Sequence, residues 1–112
     1  MTNQRDAQVL LATNSDNVLL DYTELRKAVM VLRAVNHKLR QDIIELLGKD
    51  PRMTVTDIYI KLRIEQSVAS QHLAILRKAQ IVTTDREGKF IYYSLNPSRL
   101  EHIAGLVEEL VK

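Results

Sequence analysis

Cysteine is absent from the 112-residue chain. Without a thiol there can be no disulfide, no thiolate metal site and no cysteine redox switch. No apolar run approaches the ~20 residues that a membrane-crossing helix needs. The N-terminus lacks a charged segment leading into a long apolar core, the mark of a secretory signal, so a cytoplasmic location is the default expectation. A Gly-rich phosphate loop and a G-x-S-x-G elbow are missing as well, and nothing in the chain points to an enzyme. Internal repeats and low-complexity segments are absent. Excess charge is scarce too: the formal net charge is +2, with a pI near 9.0. That total hardly favours a nucleic-acid partner.

What is present looks like an ordinary soluble protein, with 46% hydrophobic and 27% charged residues. The length suits one domain with one modest core. Charge is unevenly placed. Residues 1–22 carry Arg5 against Asp6, Asp16 and Asp21, whereas 15 cations and 11 anions lie in residues 23–112. The basic excess therefore sits in the folded body rather than in a tail.

Residues 1–20 form an N-terminal arm rich in Asn, Asp, Gln and Thr, with apolar patches at Val9–Ala12 and Val18–Leu20. Two readings stand: a loosely ordered arm with at most one short helix, or an arm packed across a partner subunit. Residues 21–112 read as one mainly α domain with a small β-hairpin wing, about five helices and two antiparallel strands. From Tyr22 to Val35, apolar residues recur at helical spacing (Leu25, Ala28, Val29, Leu32, Val35). A second helix is expected from Leu39 to Leu47, stopped by Gly48 and Asp50-Pro51. Thr54 followed by Asp57 resembles a capping box and opens a third. Arg63-Ile64-Glu65 then connects it to a fourth, Gln66 to Ala79, a helix-turn-helix arrangement. "IVTTDREGKFIYYSL" (Ile81–Leu95) changes period and predicts a hairpin with Asp85–Lys89 at its tip and Gly88 at positive φ. Asn96 as N-cap and Pro97 at N1 start a last helix, with Leu100, Ile103, Ala104, Val107, Leu110 and Val111 as its apolar stripe.

The fourth helix carries the functional signal. At 100° per residue Ala69, Leu73 and Leu76 share one side, the core face. Ser67, Gln71, Ala74 and Lys78 fall opposite, with Ser70 at the edge. That outer face has no acid and no bulky group. A helix entering a major groove needs short side chains offering both donors and acceptors, and carboxylates there would repel phosphates. A plain amphipathic helix with a polar exposed face is the competing explanation. The hairpin beyond it, with Arg86 and Lys89 at its tip, completes a winged helix-turn-helix layout and tips the balance to double-stranded DNA.

"LRAVNHKLRQDIIELL", "MTVTDIYIKLRIEQSVASQHLAILRKAQIV" and "REGKFIYYSL" resemble the ArsR/SmtB family of bacterial winged-helix repressors over roughly residues 25–111. The resemblance implies a homodimer paired mainly through its first and last helices, bound to a palindromic operator and released by an inducer. It also implies what is lost here. Where many members carry metal-sensing cysteines, this chain has Thr54 and Thr56. Where others carry ligands on the last helix, it has Pro97, Arg99 and Leu110. Neither usual metal site can form, and no cofactor is expected. The turn of the motif usually holds a Gly and a Ser N-cap; here they are Arg63 and Glu65. Arg63 would meet a steric cost at positive φ, and Glu65 caps less well than Ser while lying near the phosphates.

Base-edge contact is expected of Gln66, Ser67, Ser70 and Gln71, and phosphate contact of Arg40, Thr54, Arg77, Arg86 and Lys89. The dimer interface is expected at Leu25, Val29, Leu32, Leu100, Ile103, Val107 and Leu110. His72 is expected to pack at the edge of the core, and Tyr92 and Tyr93 to pack the wing. His37, His72 and His102 are too far apart in sequence to read as a metal site. Two alternatives to a repressor stay open: a winged-helix interaction module that has lost operator binding, and a metalloregulator with an atypical site, such as His102 with Glu108 or Glu109 across a dimer.

Overall fold

The computed structural model of the chain describes residues 8–12 and 17–112. It divides into two units, one ending at Arg33 and one running from Ala34 to Lys112. The division falls inside a helix, and each unit is described on its own.

In the first unit, β1 (Gln8–Ala12) pairs antiparallel with β2 (Asn17–Asp21), Gln8 facing Asp21 and Ala12 facing Asn17. The short helix considered for the arm is thus corrected to paired strands over these residues; the rest of the arm lies outside the described residues. The two runs are short and rich in Val and Leu, a composition that suits paired strands. Asp21 ends β2 and caps the next helix: its carboxylate accepts from the backbone N–H of Thr23 (2.9 Å) and Glu24 (3.3 Å). Helix α1 (Tyr22–Val35) begins there.

The second unit holds the core. Helix α2 (Lys38–Lys49) starts one residue earlier than expected because His37 is its N-cap, with Nδ1 accepting from Leu39 N–H at 3.1 Å. It also runs through Gly48. A glycine costs a helix only about 1 kcal/mol, and Asp50-Pro51 is the stop that holds. Ile43 and Leu47 are fully enclosed, with Leu39 and Leu46 half-buried beside them. β3 (Met53–Thr54) leads into α3 (Val55–Leu62). The capping box forms both ways: Asp57 N–H donates to Thr54 Oγ1 and Thr54 N–H to Asp57 Oδ2, each at 3.1 Å.

Helix α4 (Gln66–Lys78) buries Ala69, Leu73 and Leu76. Both helices of the motif end in a left-handed turn without glycine. Arg63 adopts φ 57°, ψ 46°, with its N–H on Ile60 O and that of Ile64 on Tyr59 O. Gln80 adopts φ 63°, with its N–H on Arg77 O and that of Ile81 on Leu76 O. These are Schellman bonds, normally built around Gly.

β4 (Val82–Glu87) and β5 (Phe90–Leu95) form the wing, Glu87 facing Phe90 across a two-residue turn. The tip is therefore Gly88-Lys89, tighter than Asp85–Lys89. Gly88 takes φ +62°, the positive φ at the first central position that a II′ turn requires. The sheet has three strands rather than two, in the order β3-β5-β4, since Met53 pairs with Tyr93 and Thr54 with Tyr92. A two-residue strand is too short to leave a period in the sequence. Helix α5 (Pro97–Leu110) is capped by Asn96 and tied back to the end of α4: Asn96 Nδ2 donates to Gln80 O at 3.0 Å and Arg99 Nε to Ala79 O at 3.0 Å.

Candidate nucleic-acid interface

Burying Ala69, Leu73 and Leu76 fixes the rotation of α4 about its axis. Gln66, Ser67, Ser70 and Gln71 are consequently all exposed, as are Ala74 and Lys78 further along. The first turn of α4 contains no acid, and Glu65, its N-cap residue, makes no side-chain cap bond. The face offers hydroxyls and amides, which can donate and accept, with cations only towards the C-terminal end.

The wing has two unlike faces, because cross-strand partners point the same way. Thr84 faces Tyr93 and Arg86 faces Ile91 on one side; Asp85 faces Tyr92 and Glu87 faces Phe90 on the other. Tyr93 lines an open groove of about 400 Å³ with Ser70, Ala74, Arg77 and Lys78 of α4. The side of the wing bearing Arg86 is thus continuous with the outer face of α4. At the tip, Arg86 Nε donates to Gly88 O at 3.2 Å, and Lys89 Nζ sits 5.6 Å from the Phe90 ring centre.

Two expected phosphate contacts are already engaged inside the body. Thr54 Oγ1 accepts from Asp57 N–H, leaving its hydroxyl hydrogen to donate. Arg40 is half-buried, with Nε donating to Ala34 O at 2.7 Å and Nη1 3.1 Å from His72 Nδ1. A guanidinium only donates, so His72 Nδ1 is the acceptor and the ring is neutral with its hydrogen on Nε2. Burial, then the His37 ring and the Arg40 cation, push the His72 pKa below its ordinary 6.5. Arg40 therefore fastens the start of α2 to α4.

Lys78 and Tyr93 belong to the groove although the sequence reading does not place them among the contacts. Strand alternation, counted from Arg86, turns Tyr93 to the same face. Among the described residues, no group of three or more His, Cys, Asp or Glu side chains is placed to hold a metal ion.

A family model described as "Bacterial regulatory protein, arsR family" matches residues 37–84, from the cap of α2 into the wing. The transcriptional repressor SdpR of Bacillus subtilis is 39% identical over 71 residues, 63% of this chain and 78% of its own. The transcriptional repressor PagR of Bacillus anthracis is 32% identical over 91 residues, 81% of this chain and 91% of its own. The chain belongs to the arsR family. The PagR crystal structure superposes with a TM-score of 0.63 at 33% identity, covering 78% of this chain and 99% of that one. HlyU of Vibrio cholerae, a transcriptional activator, superposes at 0.61 and 31% identity, covering 78% and 94%. The arsR-family fold accounts for the helix-turn-helix and the wing. Thr54 in the capping box and Arg99 on the Ala79 carbonyl are both engaged structurally.

Proposed function

We propose that the protein is a transcriptional repressor that binds a palindromic operator as a homodimer in the bacterial cytoplasm. In this reading α4 enters the major groove, Gln66, Ser67, Ser70 and Gln71 reach base edges, and Arg77, Arg86 and Lys89 contact phosphates. The observation that carries it is the acid-free exposed face of α4, continuous through the Tyr93 groove with the Arg86 side of the wing. Dimerisation is supported by the end of α5 and the residue after it, where Leu106, Leu110 and Val111 are 51%, 74% and 78% exposed. A second protomer would cover this surface and present a second α4 one helical turn (~34–36 Å) away. Of the proposed contacts on α5, Val107 and Leu110 are exposed and Leu100 is half-buried, while Ile103 is mostly buried within its own protomer. On α1, Leu25 is exposed and Val29 and Leu32 are half-buried. With neither usual metal site in place, release from DNA would follow another signal, one that binds two dimer geometries unequally.

Fluorescence anisotropy on duplex DNA from upstream of its own gene, at two salt concentrations, tests the proposal. Gln71→Ala should cost about 1–3 kcal/mol and relax discrimination at one base pair. Arg86→Ala should weaken all sequences alike and lower the salt slope by about 1. No binding at low salt would instead favour a winged-helix interaction module. The observation on that side is the Glu65 carboxylate, which makes no cap bond beside Gln66.

A further inference from the structure

Taken alone, the wing hairpin is a poor grip for phosphate. Between Val82 and Leu95 it carries Asp85 and Glu87 against Arg86 and Lys89, a net charge of zero. Its two carboxylates share the face opposite Arg86 and Tyr93. A strand pair is thin, so that face lies within about one Debye length (~10 Å at 0.1 M salt) of anything bound to the other. Unopposed, the acids would repel the backbone that Arg86 and Lys89 attract.

A residue outside the hairpin meets both acids. Arg52, in the connection from α2 to β3, places Nη2 3.2 Å from Asp85 Oδ2 and bonds Glu87 Oε2 with the same nitrogen. Its guanidinium carbon lies 3.7 Å from the centre of the Tyr92 ring, the cross-strand partner of Asp85. The neighbouring Met53 is buried and pairs through its backbone with Tyr93, so the root of the Arg52 side chain is fixed to the sheet that it serves.

We propose that Arg52 is a positioning residue for DNA binding: it holds the acidic face of the wing and offsets one of its two negative charges, leaving the wing together with Arg52 net positive towards phosphate. The proposal rests on the DNA-binding function above and adds to it a residue that need not touch DNA. It treats Asp85 and Glu87 as a cost to affinity that Arg52 offsets. Removal of the acids should therefore suppress the loss of the arginine.

Four proteins decide the matter: wild type, Arg52→Gln, Asp85→Asn with Glu87→Gln, and the triple variant. Binding to a random-sequence duplex and to the upstream duplex is read at low and higher salt. Arg52→Gln should bind about tenfold more weakly at ~50 mM salt, and the deficit should shrink towards about threefold at ~200 mM as salt screens the carboxylates. The triple variant should bind at least as tightly as wild type, and the double variant more tightly still. A merely structural Arg52 would give a salt-independent deficit that the triple variant does not repair, and that result overturns the proposal. So does unchanged binding by Arg52→Gln, or weaker binding by the double variant, which also decides the question should Arg52→Gln fail to fold. Failure of wild type to bind either duplex removes the DNA-binding function itself, and this proposal with it.

Discussion

Arg63 sits in the left-handed region at the turn between the two motif helices, where an L side chain costs about 1–2 kcal/mol relative to glycine. Arg63→Gly removes that clash but frees the unfolded chain. The net gain should be about 0.5–1 kcal/mol, read as a higher urea midpoint at unchanged slope. His72 gives a pH dependence whose sign follows from its environment. Its folded-state pKa is below the ordinary 6.5, so the unfolded chain takes up the proton first as pH falls. The contribution of neutral His72 is intact above 6.5 and is lost progressively as pH drops through the lowered folded value. His72→Gln keeps an acceptor for Arg40 without titrating, so its urea midpoint should fall less than that of wild type between neutral pH and about pH 5. Neither the tautomer nor the engagement of Arg40 is legible in the sequence. Arg40 and His72 are separated by 32 positions, and only packing brings the rings of His37 and His72 to 4.7 Å.

Helix starts are legible because their signals are local. Thr54 with Asp57 and Asn96 with Pro97 each satisfy backbone donors within a few residues, and both caps form. Helix stops are less so. Gly48 alone does not end α2, and beyond the left-handed turn at Gln80 that ends α4, Asn96 and Arg99 arrive from another element to satisfy the Gln80 and Ala79 carbonyls. Asn96 thus has two jobs, capping α5 and satisfying the Gln80 carbonyl. Asn96→Ala should cost about 1–2 kcal/mol of stability in chemical denaturation, at the upper end for an N-cap because a second acceptor loses its donor. Ser98→Ala is the control: the Ser98 hydroxyl only donates to Asn96 Oδ1, so its loss should cost well under half as much in the same measurement. The N-terminal strand pair escapes a local reading for a different reason. Its apolar runs are short enough to suit either a helical turn or a strand, and pairing, a contact between segments, settles the choice.

At the scale of the whole molecule, the proposed dimer turns on α5. A single protomer leaves the C-terminal half of this helix and the residue after it with Leu106, Val107, Leu110 and Val111 in water, and α2 and α5 bound an open concavity of about 330 Å³ lined by Val35, Ile44, Leu100 and Ile103. Leu110→Glu changes an exposed side chain and should leave protomer stability within about 0.5 kcal/mol. If α5 is the dimer contact, sedimentation should show a monomer, and operator affinity should fall about a hundredfold or more as the second half-site is lost. A stable dimer in that variant would place the contact elsewhere.

The order of amino acids was enough to specify the helices, the helix-turn-helix, the wing and the face of α4 that meets water, because each follows from periodicity, caps and turn residues acting over a few positions. It was also enough to remove thiol chemistry from these 112 residues, since they contain no cysteine. Tertiary structure alone decided that β3 joins the sheet, that Arg40 serves His72 and Ala34, that Ile103 belongs to its own core, and that Arg52 faces Asp85 and Glu87. Those outcomes depend on pairs of residues distant in the chain, and the free energy of such a pair exists only once the core has set the distance between them.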